Sequence, residues 1–363
     1  MGSIKQNYAN NVLTDGKFDA TDLDGVILNT NINDNSIDNI TVFGTAGAGI
    51  PSVASDPPSP ALGDVWFNST SNVLKYTGVS TTGTWATGNN MNTARSGLAG
   101  TGTQTAAVSF GGENPGGATG ATENYDGTSW SPSGSLVTTR RELAGAGIQT
   151  AALAFGGKVV TSPPVTAATE EYNGTTWTSV NPMVTARRQL AGAGIQTAAL
   201  VFGGDLDPGT SGATEEYDGT SWATSPGSLN SARSEFAGAG TQTAGLAFGG
   251  PSPTGPTEEY NGTSWTASNN LNTARFQLAG AGIQTAALAF GGNSGSLTGA
   301  TEEYNGTSWT TSPGSMNTAR TALAGAGTQT AGLAFGGGVP GSSNATEEWA
   351  GAGSPETKTI TTA

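Results

Sequence analysis

A tripeptide, Phe-Gly-Gly, recurs through most of this 363-residue chain and constrains its fold more than any other feature. Successive copies are 45, 47, 46, 42 and 45 residues apart, and they begin at Phe110, Phe155, Phe202, Phe248, Phe290 and Phe335. Fixed periods of about 20–50 residues are typical of solenoids, propellers and other repeat arrays. The sequence therefore predicts an array of similar units.

Three further markers recur in the same phase. An arginine precedes each Phe-Gly-Gly, and a Glu-x-Tyr motif follows it, with Trp349 in place of the tyrosine in the sixth copy. In the first five copies, a tryptophan comes five residues after that tyrosine. Because four markers keep one spacing, each copy is expected to have the same internal structure.

Each copy is expected to contain four short strands. In the first copy these are Leu98–Thr103, the apolar Ala106–Phe110, Thr122–Tyr125 and a strand that begins at Trp130. The dipeptide Asp126-Gly127 between the third and fourth strands is typical of a type I′ hairpin turn, which needs positive φ values. No segment keeps apolar residues at a 3.6-residue spacing for 11 residues, so the pattern predicts an all-β protein.

The order of these markers resembles the Kelch repeat. The family shows an apolar strand ending in Gly-Gly, then a tyrosine, then a tryptophan at this spacing, and the resemblance extends roughly from Asp64 to the C-terminus. The resemblance implies a Kelch-like β-propeller, in which each unit of about 45 residues is one blade. The near identity of the copies and the very small residues of the first strand depart from the family pattern.

The number of blades depends on how the chain ends are used. Asp64–Asn68, Val73–Tyr76 and Gly83–Trp85 resemble second, third and fourth strands, and Lys358–Thr362 is prone to form a strand. Joining these segments would give a seventh blade and close the ring, which removes the exposed edge that an open propeller would have. We favour seven blades on this ground. The alternative is six blades, with Trp85–Asn90 as the outer strand of the last.

Composition excludes several classes of function. The chain has no cysteine and no histidine, which removes cysteine nucleophiles, histidine-based triads and the commonest metal ligands. The formal net charge of −14 argues against a nucleic-acid partner. No apolar run approaches the ~18 residues of a membrane span, and no signal peptide precedes the repeats, so we expect synthesis in a cytoplasm without membrane insertion. We expect no cofactor.

The recurring arginines have two interpretations. They could form a cationic ring that holds an anion, or each could pair with a carboxylate of the Glu-x-Tyr motif. The one-to-one ratio favours the structural pairing. The acidic pairs also suggest a carbohydrate-active enzyme, but equal pairs that recur from copy to copy define no single site, so we expect no enzymatic activity. The recurring tyrosines and tryptophans are expected to pack between blades.

Variation between copies is concentrated after each Gly-Gly. These loops are expected to gather on one face, which the Kelch resemblance implies that they share with the arginine-bearing connections. Loops on a rigid scaffold commonly carry binding sites. Asp205-Leu206-Asp207 would suit calcium, but solvated loop acids are the better interpretation, and we expect no metal site. The candidate binding face comprises Arg95, Arg140, Arg187, Arg233, Arg275, Arg320, Asp205 and Asp207.

The N-terminal part lacks the repeat. Residues 1–50 are rich in Asn and Asp, 51–62 read as a proline-rich linker, and 63–363 would be the propeller. The segments Asn10–Asp19 and Gly63–Thr70 resemble the attachment ends of tail and fibre proteins of bacteriophages. That resemblance implies a structural protein of a virion, docked to other virion proteins through an N-terminal arm. We expect a homo-oligomer in the particle, on its head or its tail.

Three functions remain open on the sequence. The propeller could attach the particle to a host surface, with a surface glycan as the candidate ligand. It could be an architectural decoration or tail connector without a ligand. A Kelch scaffold outside a virion is a further alternative, which the Asn- and Asp-rich arm disfavours.

Overall fold

The structure is a computed structural model that describes residues 51–58, 60–61, 64–80, 82–353 and 355–359. The N-terminal arm predicted at 1–50 lies outside the described residues. The described residues form an all-β protein in which no residue is helical. Among these residues there is accordingly no helix of the length and apolarity that a membrane crossing requires.

The chain divides into two compact units. The larger comprises Thr82–Ala352, and the smaller combines Met1–Thr81 with Gly353–Ala363. The domain boundaries at 50 and 62 stay predictions, although Ser52–Val53 within the expected linker forms a short strand.

The larger unit contains six four-stranded sheets, one for each copy of the repeat. In chain order, its sheet strands are β4 (Thr84–Gly88), β5 (Ala99–Thr103), β6 (Ala106–Phe110), β9 (Thr122–Tyr125), β10 (Trp130–Ser133), β11 (Ala144–Ile148), β12 (Ala151–Phe155), β13 (Thr169–Tyr172), β14 (Trp177–Val180), β15 (Ala191–Ile195), β16 (Ala198–Phe202), β17 (Thr214–Tyr217), β18 (Trp222–Thr224), β19 (Ala237–Gly240), β20 (Gly245–Phe248), β21 (Thr257–Tyr260), β22 (Trp265–Ser268), β23 (Ala279–Ile283), β24 (Ala286–Phe290), β25 (Thr301–Tyr304), β26 (Trp309–Ser312), β27 (Ala324–Gly327), β28 (Ala331–Phe335) and β31 (Thr346–Ala350). Two hairpins project beyond the sheets, β7 (Glu113–Asn114) with β8 (Gly117–Ala118) and β29 (Gly338–Val339) with β30 (Gly341–Ser342).

The sheets are antiparallel throughout, and we number them 1 to 6 in chain order. Sheet 1 is β5-β6-β9-β10, and sheets 2 to 5 follow in groups of four consecutive strands from β11 to β26. Sheet 6 is β27-β28-β31-β4, so its outer strand comes from the N-terminal side of the repeats. The segment Gly83–Trp85, expected in the outer strand of a seventh blade, therefore contributes to sheet 6 instead, where Trp85 pairs with Trp349.

The small residues of the first strands are explained by packing between sheets. A Cβ added to Gly145 of sheet 2 would lie 2.5 Å from Cζ of Phe110 in sheet 1. The first strand therefore needs glycine at the position where the phenylalanine of the preceding sheet packs against it. The second strands are buried on both faces, and Ala152, Leu153 and Phe155 are each 0% exposed. These apolar contacts form six clusters, one at each junction between neighbouring sheets.

Two kinds of hydrogen bond repeat at every junction. The indole Nε1 of Trp177 in sheet 2 donates to Oγ1 of Thr122 in sheet 1 at 2.9 Å, and Gln149 Nε2 donates to the carbonyl oxygens of Ala107 and Tyr125. Both bonds also join sheet 1 to sheet 6, where Trp130 donates to Thr346 Oγ1. The first strands contact their neighbours in order, and β27 contacts β5. The same contacts thus join the last sheet to the first.

The expected type I′ turn between third and fourth strands is replaced by a longer loop. Tyr125 pairs with Trp130, which leaves four residues in the connection, and the Asp126 N–H donates to the Ser129 carbonyl. Oδ1 of Asp126 accepts the N–H groups of Thr128 and Ser129, and only Gly127 has a positive φ, of 89°. The aspartate side chain closes the loop, so a second residue with positive φ is not needed.

The smaller unit is one four-stranded sheet. Its order is β1 (Ser52–Val53), β2 (Val65–Asn68), β3 (Val73–Val79) and β32 (Pro355–Thr359), with β1 parallel to β2. The C-terminal strand joins the N-terminal strands, as expected, but it pairs with the strand that begins at Val73 in a sheet that does not contain Gly83–Trp85. Asp56 organises this sheet, because its carboxylate accepts hydrogen bonds from Trp66 and Asn68 and forms an ion pair with Lys75 at 2.6 Å.

Candidate functional site

The six recurring arginines lie in the interior rather than on a binding surface. Five are at most 1% exposed and Arg233 is 5% exposed. In sheet 3, Arg187 donates from Nη2 to Glu215 at 2.7 Å and from Nη1 to the carbonyl oxygens of Gly203 and Ala213. The equivalent ion pairs are Arg95–Glu123, Arg140–Glu170, Arg233–Glu258, Arg275–Glu302 and Arg320–Glu347.

These ion pairs fix the connections between sheets. The Glu215 carboxylate also accepts the N–H groups of Val184 and Thr185, which belong to the segment that enters sheet 3 from sheet 2. Burial lowers the pKa of the arginines, to about 10 for Arg140, although the neighbouring glutamate opposes the shift. The guanidinium therefore stays charged at neutral pH, and its contacts favour the structural interpretation over a cationic ring for anions.

The second acid of each pair joins neighbouring sheets. Tyr217 Oη donates to Glu171 at 2.9 Å and Tyr260 Oη donates to Glu216 at 2.6 Å. Burial, then the bonded carboxylate, raises the pKa of Tyr260 to about 12. The series changes at two junctions, because Asn124 replaces the acid in sheet 1 and Trp349 replaces the tyrosine in sheet 6. The acids that the sequence offered as an enzymatic pair are thus divided between two packing roles.

The aromatic residues of the repeats also lie in the interior. The outer strand of each of the six sheets contains a tryptophan that is at most 7% exposed. In chain order these are Trp85, Trp130, Trp177, Trp222, Trp265 and Trp309. Each packs against the phenylalanine of the preceding sheet, with centroids 4.8 Å apart for Trp177 and Phe110. The prediction that these aromatics pack between repeats is confirmed.

One depression is lined by residues of all six repeats, and its lining comes from the segments that follow the arginines. We call the residues two positions after each arginine the inner circle; they are Gly97, Glu142, Gln189, Glu235, Gln277 and Ala322. Their backbone N–H groups donate in turn to the carbonyl of the preceding member, and Gly97 donates to Ala322. All six have φ between 51° and 58°. The backbone here is one closed cycle of hydrogen bonds.

The side chains of the inner circle break the symmetry that its backbone keeps. Sheets 2 to 5 contribute Glu142, Gln189, Glu235 and Gln277, whereas sheets 1 and 6 contribute glycine and alanine. The depression has a volume of about 170 Å³. The polar side chains of the inner circle therefore all come from one side of the depression, and on the other side the inner circle has only Gly97 and Ala322, which carry no polar side chain. A repeated scaffold with one asymmetric centre is able to hold a small polar group in a defined orientation.

The two acids of the inner circle have different partners. Glu142 forms an ion pair with Arg188 at 3.3 Å, and Arg141 Nε lies 3.7 Å from its other oxygen. Oε1 of Glu235 accepts two amide hydrogen bonds instead, from Gln189 at 2.9 Å and from Gln277 at 2.7 Å. Among the described residues, no lysine or arginine pairs with Glu235.

Of the loops after Gly-Gly, that of sheet 1 borders this depression through Glu113. A groove of about 340 Å³ is lined by Glu113, Arg141, Lys158 and the 159–164 loop, and Glu113 and Arg141 also line the depression. Asp205 forms an ion pair with Arg188 at 3.1 Å, and Asp207 lies in the exposed loop beyond it. Across the described part of the chain, no three acidic side chains converge as a metal site would require.

The inner circle was missed from the sequence, although a signal was present. Interpretation centred on the arginines because they recur, and recurrence here reflects packing. Two positions later the residue changes from glycine to glutamate, glutamine and alanine, and in every copy it is followed by Leu-Ala-Gly or Phe-Ala-Gly. This variation directly before a nearly constant tripeptide was the available signal.

Comparisons with known proteins show a likeness of fold. No protein-family model matches the chain, and no curated protein matches it. Among solved structures, that of YjhT is similar with a TM-score of 0.61 and 11% sequence identity, covering 76% of this chain and 99% of that one. The chain therefore shares with it a fold of repeated four-stranded sheets, in a β-propeller-like arrangement.

Proposed function

We propose that the chain is a non-enzymatic structural protein of a bacteriophage virion, which displays a Kelch-like, six-bladed β-propeller for attachment. Sheet 6 supports six blades rather than the seven favoured from the sequence, because β4 supplies its outer strand and its contacts continue into sheet 1. Closure of sheet 6 by a strand from the N-terminal side of the unit gives it the same four strands as the other sheets.

The observation that carries the proposal is the asymmetric centre of one face. Tryptophan, glutamine and arginine contacts repeat at each junction, whereas the inner circle combines four polar side chains with a glycine and an alanine. A repeated feature supports packing in every blade, and a feature present once supports recognition. The groove beside the variable loops extends the same face.

Attachment to the particle is assigned to the N-terminal arm on the resemblance of Asn10–Asp19 and Gly63–Thr70 to virion proteins. Several copies on one particle would raise avidity, so a shallow site of modest affinity could serve adhesion. The ligand on this proposal is a host-surface glycan or another host-surface group that fits the depression.

An adsorption competition tests the proposal. Purified chain is added in excess to host cells before the phage that carries it, and free particles are counted over time. We expect slower adsorption, and we expect a variant with Glu235→Gln and Ala322→Gln in the depression to compete less. Unchanged adsorption at saturating chain would contradict attachment and leave the architectural role as decoration or connector.

A further inference from the structure

The carboxylate of Glu235 is held in one orientation by its neighbours. Both amides that flank it in the inner circle, Gln189 and Gln277, donate to the same oxygen, Oε1. Gln277 is itself oriented, because its own Oε1 accepts a hydrogen bond from the Thr321 hydroxyl. Oε2 of Glu235 accepts no hydrogen bond from any residue that the structure describes. One oxygen of this carboxylate is therefore satisfied and the other is open to a donor.

The other charges at the depression are already matched. Glu142 pairs with Arg188, and Glu113 pairs with Arg141. Glu235 is thus the carboxylate that lacks a cation among the described groups lining the depression. The chain as a whole carries a net charge of −14, which favours the approach of a cation over that of an anion.

The depression has room for a group of limited size. Its volume of about 170 Å³ is smaller than the ~300–1,000 Å³ of sites for drug-sized ligands. The bare side is formed by Gly97 and Ala322, and a Cβ added at Gly97 would find its nearest neighbour 3.5 Å away. Apolar residues, including Leu98 and Leu323, also line the cavity. A charged head on a short aliphatic stem fits this combination.

We propose that the depression binds a primary ammonium group at the end of an alkyl chain, with Glu235 as its counter-ion. The inference deepens the proposed function by naming the ligand class of the same face, and it rests on that function only for its biological setting. The ammonium would come from a lysine side chain on a partner protein or from a free polyamine. The ammonium donates to Glu235 Oε2, and the stem lies toward Gly97 and Ala322.

Titration calorimetry on the full chain tests the proposal with defined probes. Nα-acetyl-lysine amide and 1,5-diaminopentane represent the two sources, and Nα,Nε-diacetyl-lysine amide is the uncharged control. We expect saturable binding of both amines that weakens as salt is raised, and none of the acetylated control. Tighter binding by lysine-containing peptides than by the diamine would identify a protein source, and the reverse order a free polyamine.

Two matched variants assign the effect to one carboxylate. Glu235→Gln is tolerated by the backbone, since Gln189 and Gln277 occupy the same position at φ of 51° and 52°, and we expect it to weaken amine binding at least tenfold. Glu216→Gln removes one acid that lies outside the depression, where it accepts a hydrogen bond from Tyr260, and should change affinity less than threefold. Ala322→Gln should block binding by filling the bare side.

Equal loss in both glutamate variants, or equal binding by wild type and Glu235→Gln, would overturn the proposal. So would the absence of saturable amine binding by a folded wild-type chain. Neither result decides the adsorption competition with the wild-type chain, because a host-surface group without an ammonium could still fill the depression. The two proposals therefore fail separately.

Discussion

Two adjacent glutamates of β17 provide a matched test of the packing account. Glu215 is 1% exposed and its carboxylate accepts hydrogen bonds from Arg187, Val184 and Thr185. Its neighbour Glu216 lies on the other face of the strand and accepts one hydrogen bond, from Tyr260. Substituting each with glutamine keeps the side-chain size and removes one charge, so the two variants differ only in surroundings.

The two substitutions should lower the free energy of unfolding by different amounts, because Glu215 is the counter-ion of the buried Arg187 and Glu216 has no such partner. Removing one partner of a buried ion pair leaves an uncompensated charge and costs about 3–5 kcal/mol. Glu215→Gln leaves the Arg187 guanidinium buried at 0% exposure and places an amide against backbone donors. Glu216→Gln keeps an acceptor for Tyr260, so its cost should stay within the ~1 kcal/mol of an ordinary hydrogen bond. We expect a difference of about 2–4 kcal/mol.

The assay combines chemical denaturation with amide exchange. Because repeat proteins depart from two-state unfolding, the denaturation midpoint is compared with exchange at the Val184 and Thr185 amides, which report the local pair. Glu215→Gln should lower the midpoint and remove protection at both amides, and Glu216→Gln should leave both nearly unchanged. Equal effects of the two substitutions would refute the assignment of Glu215 as the buried counter-ion of Arg187.

Three further predictions follow from named contacts. Thr122→Val should lower the free energy of unfolding by about 1–3 kcal/mol, because it leaves the buried Trp177 indole N–H without an acceptor. A denaturation experiment that shows no change would contradict this hydrogen bond. The Tyr260 phenol should ionise near pH 12. Its contribution to stability is therefore complete below about pH 10 and is lost between pH 10 and 12. A difference titration at 295 nm between wild type and Tyr260→Phe that shows ionisation near pH 10 would contradict this. The smaller sheet should lose stability as pH falls from about 4 to about 2, because Lys75 and two hydrogen bonds lower the pKa of Asp56 to about 2; Trp66 fluorescence that does not change between these pH values would count against it.

Much of the fold was predictable because its signals are local. The period, the apolar second strand and the Asp-Gly connections identified four strands in each repeat, and the one-to-one ratio identified the arginine–glutamate pairing. The small first strand was noted as a departure without a cause. Its cause is the phenylalanine of the preceding sheet, which lies against Gly145 and its equivalents, and that contact joins residues far apart in sequence.

The sheet to which the Trp85 segment belongs and the residues that line the depression could not be predicted from the sequence. The segment around Trp85 has the same composition whether it closes sheet 6 or joins the N-terminal strands, and only its pairing with Thr346–Ala350 decides between them. The depression likewise depends on six residues, each from a different repeat, that approach one another through a backbone cycle. Neither the strand pairing nor the backbone cycle is a local feature. The sequence alone therefore indicates which face carries the variable loops, but it does not identify the residues at the centre of that face.

A cryo-EM map of an intact particle containing this chain tests the central claim most directly. The account predicts density for the N-terminal arm against other virion proteins, with the depression lined by Glu142, Gln189, Glu235 and Gln277 open to the outside. A map in which that face is buried against neighbouring subunits would contradict an attachment function.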